Sequence, residues 1–444
     1  MDSPALQADV LAEQLNTLLA STRRAGADAA EVRLGRSRTL NVTVRDQQLD
    51  QLEYATDQSA SVTVYCDQRS GSASTTDLTA AGLEAALAQA MTIARFTEPD
   101  TYAGLADAEL MAADWPDLSL WHPWTLSADD AAALGRRIEA AALAYDARIQ
   151  QSEGASVVAS QAVTAYGNSH GFADVARATQ QAISCTAIAR DDAGMQRQVA
   201  FSQARHADDL EAGEAIGRLA AERAVGCLGA RALATTTATV LFVPRVARSL
   251  WGHFLAAVSG GSLYRQATFL KDRLDTQIMA DRVQLRQSPH LARGLASAGY
   301  DADGVATRER VLVDAGVLRG YLLSAYSARR LGLRTTGNAG GVFNLDVVPG
   351  TDDFAALVAG MGRGLVVTQL MGQGVNLVTG DYSRGASGYW VENGELAHAV
   401  ENVTIAGNLA DMFTRIEALG ADVDTQAVIR TPSVCIADMA IAGQ

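Results

Sequence analysis

The first quarter of the chain switches from helical to strand-like spacing of apolar residues and back. Residues 6–24 place apolar side chains at helical intervals, which predicts a first helix. Three later runs alternate polar and apolar positions, as half-buried strands do: residues 31–34, 40–44 and 61–65. Asp46 starts a plausible hairpin tip, and Thr79 precedes an alanine-rich helix that ends near residue 96. We therefore predict a helix–sheet–helix domain over residues 1–97.

Residues 98–127 form a different kind of segment, because apolar periodicity stops there. The segment is rich in proline and tryptophan: Pro99, Pro116, Pro123, Trp115, Trp121 and Trp124. We interpret it as a linker, and its three large aromatic side chains indicate that it packs against another part of the molecule.

The pattern of helix and strands then recurs over residues 128–232. Ser127, followed by Asp129 and Asp130, predicts the start of a helix that runs to about residue 145. Long alternating runs predict three strands, at residues 157–166, 172–190 and 195–206. Helical spacing predicts a closing helix at residues 210–228. We predict a central domain here. The order of elements in this domain, a sheet followed by a helix, is the same as in residues 30–97. This suggests a structural duplication, although no sequence repeat is evident.

Residues 233–444 are rich in predicted strands and in glycine. A short apolar strand at residues 240–243 precedes a helix at 246–258. Further helices are predicted at residues 325–331, 353–360 and 409–419. The predicted fold class is α+β, with N-terminal helix–sheet–helix domains followed by a strand-rich, glycine-rich C-terminal domain.

Composition and charge narrow the possible functions. Hydrophobic residues make up 48% and charged residues 19%, which is typical of a soluble globular protein. The net charge of −14 would repel phosphate backbones, so we expect no nucleic-acid partner. No long apolar run predicts a membrane helix, and the N-terminus lacks signal-peptide features. We expect a cytoplasmic protein without a membrane partner, whose four scattered cysteines are buried or partly buried thiols.

The predicted helix at residues 246–258 carries a histidine that could belong to a metal-binding motif. His253 is followed by Phe254, and no second histidine or carboxylate lies one turn later. A zinc peptidase helix needs paired ligands and a general base, so we predict no catalytic and no metal-binding residue in this chain. A cluster of His253, His290 and Asp303 remains conceivable, and we interpret Cys435 as a core residue.

Six short blocks in the C-terminal half carry a resemblance to a known family. They are residues 301–304, 311–321, 335–341, 379–385, 390–395 and 404–409. In this order the blocks resemble the TldD/PmbA family, and they are more similar to its PmbA (TldE) branch. The TldD branch carries a zinc-binding His-Glu-x-x-x-His helix, which is absent from this sequence.

The resemblance implies a role in proteolysis. TldD- and PmbA-type chains are expected to form a heterodimer in which the TldD-like subunit holds zinc and unfolded peptides are cut between the subunits. Family members are linked to maturation of a peptide antibiotic and to removal of an antitoxin. We therefore expect a PmbA/TldE-like, metal-free subunit of a metalloprotease, with self-association as a homodimer left open. Two alternatives also stay open: a metallopeptidase with its own divergent metal site, and a peptide-binding or assembly protein without a protease partner.

The candidate peptide-binding residues cluster in one glycine-rich segment. Residues 380–389 are predicted as a long loop between two strands. The candidates, with one residue from an earlier block, are Gly380, Asp381, Tyr382, Ser383, Arg384, Gly385 and Asn338. The alternative is that Asp381 and Arg384 pair with each other and only stabilise the loop.

Overall fold

The computed structural model describes residues 7–192 and 194–443. Its N-terminal half is built on one antiparallel sheet in the order β3-β2-β1-β4-β5-β6. The strands are β1 (Ala29–Arg45), β2 (Gln48–Cys66), β3 (Arg69–Thr75), β4 (Ile149–Asn168), β5 (Ala173–Asp191) and β6 (Gly194–Ala204). Because β1 pairs with β4 along most of its length, strands from both predicted N-terminal domains share this sheet. The domain division itself stays a prediction.

Four helices cover one face of this sheet: α1 (Ala8–Arg24), α2 (Ala80–Phe96), α3 (Ala128–Leu143) and α4 (Gly213–Gly226). Val32 and Leu34 of β1 pack with α1 and α2, whereas Val42 and Val44 pack with α3 and α4. All four side chains occupy even positions, so both helix pairs lie on the same face, at opposite ends of the long strands.

Local signals in the sequence set several of these elements. Thr79 and Ser127 cap α2 and α3 by accepting hydrogen bonds from Gly82 N and Asp130 N, as predicted. Asp46 and Gln47 have φ angles of 52° and 61°, which gives the tight two-residue hairpin that the sequence indicated. Buried Glu139 of α3 accepts hydrogen bonds from the backbone N–H groups of both turn residues and so fixes the hairpin to the helix.

The linker at residues 98–127 packs against both halves of the molecule, as its tryptophans predicted. The backbone of Leu120 accepts a hydrogen bond from Thr179 of β5, and that of Leu118 accepts one from Arg293. The ring of Trp115 makes an edge contact with Tyr300, with centroids 5.5 Å apart. The linker therefore connects the N-terminal sheet to the C-terminal half.

The C-terminal half contains two sheets. One has the order β14-β13-β12-β7-β17-β15, and a further pairing between β14 and β17 closes it into a ring. Its strands are β7 (Thr236–Phe242), β12 (Gly364–Val375), β13 (Asp381–Glu392), β14 (Glu395–Asn408), β15 (Ile416–Leu419) and β17 (Val434–Ala442). The smaller sheet contains β8 (Leu285–Gln287), β9 (Arg310–Asp314), β10 (Val317–Leu318), β11 (Leu345–Val347) and β16 (Ile429–Arg430). The predicted α+β class with a strand-rich C-terminal region is confirmed.

The C-terminal helices are α5 (Pro244–Ala257), α6 (Gly260–Tyr264), α7 (Ala325–Leu331), α8 (Phe354–Met361) and α9 (Leu409–Thr414). The prediction of one helix over residues 409–419 is wrong in its second half. Ile416 and Leu419 pair with β17 instead, because their apolar side chains complete its buried end. Pairing with a distant strand overrides the local helical spacing.

The four cysteines are in the state that the sequence predicted. All four thiols are free; Cys185, Cys227 and Cys435 are buried and Cys66 is half-buried, as predicted.

Among residues 7–192 and 194–443, no helix combines the length and apolar character needed to cross a bilayer.

Candidate functional site

The segment predicted as a loop at residues 380–389 is instead most of strand β13, so that prediction is wrong. Only Gly380 precedes the strand, in a turn where its φ of +84° suits glycine. Exposed and buried positions alternate from Asp381 onward. A Cβ at Gly388 would lie 1.8 Å from the carbonyl oxygen of Val366, so glycine there allows β12 to approach closely. Glycines that suggested a loop thus serve close strand pairing.

The alternation places Asp381 and Arg384 on opposite faces of β13. Asp381 is exposed and accepts hydrogen bonds from Thr379 Oγ1 and Asn408 Nδ2, at 2.6 and 3.3 Å. Arg384 is 9% exposed and points to the other face. The ion pair between Asp381 and Arg384, considered as an alternative, is therefore absent from the described chain, because a strand sends residues three apart in opposite directions.

Helix α5 covers the buried face of β13. Pro244 begins the helix at a position where its missing N–H costs nothing. Trp251, buried on the inner side of the helix, donates a hydrogen bond to Thr431 Oγ1 at 2.8 Å. Half-buried His253 meets the ring of Tyr382 edge-on, with centroids 6.1 Å apart. The helix thus brings His253 to the same face of the sheet as Tyr382 and Arg384.

These three side chains, which we name the Arg384 cluster, share an unusual property. Each has a buried polar atom without a hydrogen-bond partner among the described residues: His253 Nε2, the Tyr382 hydroxyl and Arg384 Nε. Burial and the positive charge of Arg384 hold the pKa of His253 below its ordinary value, so the imidazole is neutral at pH 7. Burial raises the pKa of Tyr382, which keeps its hydroxyl protonated. The cluster is a set of unused hydrogen-bonding groups around one positive charge.

The Arg384 cluster does not fit a zinc ion. His253 is its only imidazole, and one turn later α5 offers Ala256 and Ala257, which have no ligand atoms. The guanidinium of Arg384 would repel a divalent cation at this position. Throughout residues 7–192 and 194–443, no three His, Cys, Asp or Glu side chains are close enough to hold a metal ion.

Other residues considered for a metal site have different roles. Cys435 packs with Leu241 in the core on the opposite side of the sheet from α5, and burial raises the pKa of its thiol to about 12. His290 Nε2 lies 3.1 Å from Thr307 Oγ1. Asp303 accepts a hydrogen bond from the backbone N–H of Ala325. These contacts account for the positions of Cys435, His290 and Asp303 without a metal ion.

Asn338, the remaining candidate for peptide binding, lies in a fully bonded interior site. Its Nδ2 donates to Gln287 Oε1 and to the Gly341 carbonyl oxygen, at 2.6 and 2.8 Å. Its Oδ1 accepts from Arg310 and Thr336, at 2.7 and 2.9 Å. We name these groups the Asn338 network. The amide has no capacity left for a peptide, so its contacts indicate a structural role.

The sequence did not indicate a cavity of about 730 Å³ where the N-terminal sheet meets the C-terminal half. Arg33, Tyr166, Tyr300 and Asp301 are among the residues that line it. Burial, followed by the nearby charge of Asp303, raises the pKa of Asp301 to about 7. Asp301 nevertheless accepts three backbone hydrogen bonds, which gives it a role in shaping its turn.

Strand β12 lies next to β13 and has an open edge on its other side. Parallel pairing with β7 involves only its first four residues, which end at Val367. In the described chain no strand pairs with the same edge at residues 368–375, and most of this stretch is exposed. The bulge between Met371 and Gly374 lies opposite Arg384 in β13. An extended peptide could add to this edge through backbone hydrogen bonds.

Comparison with known domains gives three matches that together span most of the chain. Residues 30–94, 121–228 and 235–443 match domain 1, the central domain and the C-terminal domain of the PmbA/TldA metallopeptidases. Metalloprotease PmbA of Escherichia coli O157:H7 is 42% identical over 438 residues, which cover 99% of this chain and 97% of that protein. The PmbA homolog of Haemophilus influenzae is 41% identical, with 95% and 93% covered.

Solved structures show the same architecture. A Bacteroides thetaiotaomicron protein described as a proposed modulator of DNA gyrase has a TM-score of 0.92 and 27% identity, covering 97% of this chain and 98% of its own. TldE from Thermococcus kodakarensis shares the fold with a TM-score of 0.84 at 19% identity, covering 97% and 100%. By the extent and identity of these matches, the chain belongs to the PmbA/TldD metallopeptidase family, on its PmbA (TldE) branch.

Proposed function

We propose that this chain is the PmbA/TldE-type subunit of a cytoplasmic metalloprotease complex that degrades unfolded peptides. In this proposal a TldD-like partner holds the zinc ion and performs hydrolysis. This chain holds the peptide and has no catalytic metal of its own. The observation that carries the proposal is the composition of the Arg384 cluster. Between α5 and the sheet it has a single histidine and a positively charged arginine, a combination that does not suit a zinc ion.

The open edge of β12 supports the peptide-holding part of the proposal. Strand addition uses backbone groups that every peptide has, so it suits substrates of varied sequence. Exposed Gln369 and the exposed residues 371–374 would form the first contact. A peptide extended there would be separated by β12 alone from β13, which carries Arg384 and Tyr382, two of the predicted substrate-binding residues.

The test compares the purified chain alone with the chain reconstituted with a TldD-like partner. Elemental analysis should find no stoichiometric zinc in the isolated chain, and hydrolysis of an unfolded peptide should require the partner. Light scattering should show association of the two chains. The control is His253→Ala, which at temperatures where the variant is folded should leave the maximal rate of hydrolysis by the complex intact, with any effect falling on KM.

Two results would support the alternatives. One equivalent of zinc that disappears in His253→Ala would indicate a metallopeptidase with its own divergent site. Peptide binding by the isolated chain, with neither association nor hydrolysis when a TldD-like protein is added, would indicate a peptide-binding protein without a protease partner.

A further inference from the structure

The Arg384 cluster departs from the normal rule for buried polar groups. In folded proteins, polar atoms that lose contact with water almost always have a hydrogen-bond partner. Here three side chains that converge on one face of the sheet each retain an unpartnered atom. Tyr382 is 1% exposed and Arg384 9% exposed, so bulk water does not compensate for them freely.

The positive charge of Arg384 makes the departure more costly. A guanidinium that loses water without gaining a counter-ion is unfavourable, which is why buried arginines are normally paired. None of the ion pairs found among the described residues involves Arg384, and its Nε has no hydrogen-bond partner there. Apolar residues of the main C-terminal core, including Leu370 and Ile405, lie on the same side of the sheet. The missing element of this site is an anion.

The three side chains together can donate four hydrogen bonds, which matches the acceptor sites of a carboxylate. Tyr382 and Arg384 are two positions apart on one face of a strand, so their backbones are about 7 Å apart. A guanidinium can donate two parallel hydrogen bonds to a carboxylate, the Tyr382 hydroxyl can donate a third, and neutral His253 can donate another from Nε2. A cation is excluded by charge.

We infer that the Arg384 cluster binds the carboxylate of a peptide that lies along the open edge of β12. The inference deepens the proposed function and rests on it, because it names the chemical group by which a peptide-holding subunit recognises its substrate. The carboxylate comes from the C-terminus of the peptide or from an aspartate or glutamate side chain. Both sources present the same two oxygens to Arg384.

The test measures peptide binding to the isolated chain, so it does not depend on a protease partner. Three unstructured ten-residue peptides of alanine, serine and threonine serve as probes in calorimetry. The first has a free C-terminus, the second is amidated, and the third is amidated but contains one glutamate. We expect a carboxylate-bearing peptide to bind at least tenfold more tightly than the amidated neutral peptide. Preference for the first or for the third identifies the source of the carboxylate.

Variants of Arg384 connect this preference to the cluster. Arg384→Met should abolish the difference between acid and amide, and Arg384→Lys should retain part of it because charge remains without the forked geometry. Arg363→Met is the matched control, because it removes the same charge from an exposed position just before β12. This control should keep the full preference.

A second measurement separates binding from a purely structural role. NMR titration of His253 should show its pKa rising when the acid peptide is bound, because a carboxylate opposes the charge of Arg384, the charged group that lowers this pKa. The amidated neutral peptide should leave the pKa unchanged. Equal affinity of the acid and amide peptides, absence of measurable binding, or a preference that survives in Arg384→Met would each overturn the inference. None of these results depends on whether a partner enables hydrolysis.

Discussion

The Asn338 network and the Arg384 cluster are both buried polar sites in the C-terminal half, but their hydrogen bonding is opposite. Asn338 is 4% exposed and all four of its hydrogen bonds are made within the chain. In the Arg384 cluster, Tyr382 and Arg384 are similarly buried, and the Tyr382 hydroxyl and Arg384 Nε have no partner in the described chain.

The contrast separates two uses of buried polar residues. A network that is fully bonded stabilises one backbone arrangement, so its removal leaves several buried groups without partners. A cluster that is not bonded costs stability in the free protein, and that cost is offset when a ligand supplies the missing partner. The first kind of site should therefore be sensitive to mutation in folding, and the second in binding.

Asn338→Ala should have the largest effect on stability. The substitution leaves Arg310, Thr336, Gln287 and a backbone carbonyl without one partner each, so we expect a loss of about 3 kcal/mol in the free energy of unfolding. Urea denaturation followed by circular dichroism measures it. Ser383→Ala, at an exposed position of β13, is the control and should change stability by less than about 0.5 kcal/mol. A similarly small change for Asn338→Ala would remove the distinction between the two sites.

Arg384→Met should change stability by less than about 1 kcal/mol, or increase it. Methionine keeps much of the side-chain length and removes a charge that has no partner in the free chain. The same denaturation experiment tests this expectation. A loss of about 3 kcal/mol or more would mean that Arg384 supports the fold as Asn338 does, and the comparison would fail.

Tyr382→Phe should alter stability by about 0.5 kcal/mol or less. The substitution removes only a hydroxyl without a partner and keeps the ring that packs against His253. The informative measurement is the ratio of this small change to the change in affinity for an acid peptide. We expect affinity to fall severalfold while the melting temperature stays nearly constant.

The smallest effect should be a dependence of stability on pH that arises from His253. Its pKa is lower in the folded protein than in the unfolded chain, so the unfolded chain binds more protons between these two pKa values. The contribution of His253 to stability is therefore present above about pH 6.5, and it is lost as pH falls through the folded pKa. His253→Gln should lack this component. Denaturation midpoints of both proteins from pH 5 to 8 provide the measurement, and identical pH profiles would contradict the prediction.

Local features of the sequence predicted much of the fold. The caps Thr79 and Ser127, the hairpin at Asp46 and the start of the helix that carries His253 depend on residues a few positions apart. Alternation over the long strands predicted their existence, although the strands extend several residues beyond the predicted bounds. These features are determined by backbone preferences and by the two periods of apolar residues, which a sequence displays directly.

The candidate site was only partly predictable. The sequence singled out residues 380–385, and two of them, Tyr382 and Arg384, belong to the Arg384 cluster. It also assigned them to a loop, because glycine and polar residues there resemble a turn. Glycine at Gly388 is instead required by the close approach of β12, which depends on a distant strand.

The sequence by itself determined the family, the local elements and the loss of paired metal ligands around His253. Only the tertiary structure decided that β1 pairs with β4, that His253 meets Tyr382, and that Arg384 is buried without a counter-ion. The physical reason is the distance along the chain over which each effect acts. Caps, turns and periodicity act between neighbours in sequence, whereas burial and electrostatic pairing depend on which distant segments share a face of the sheet.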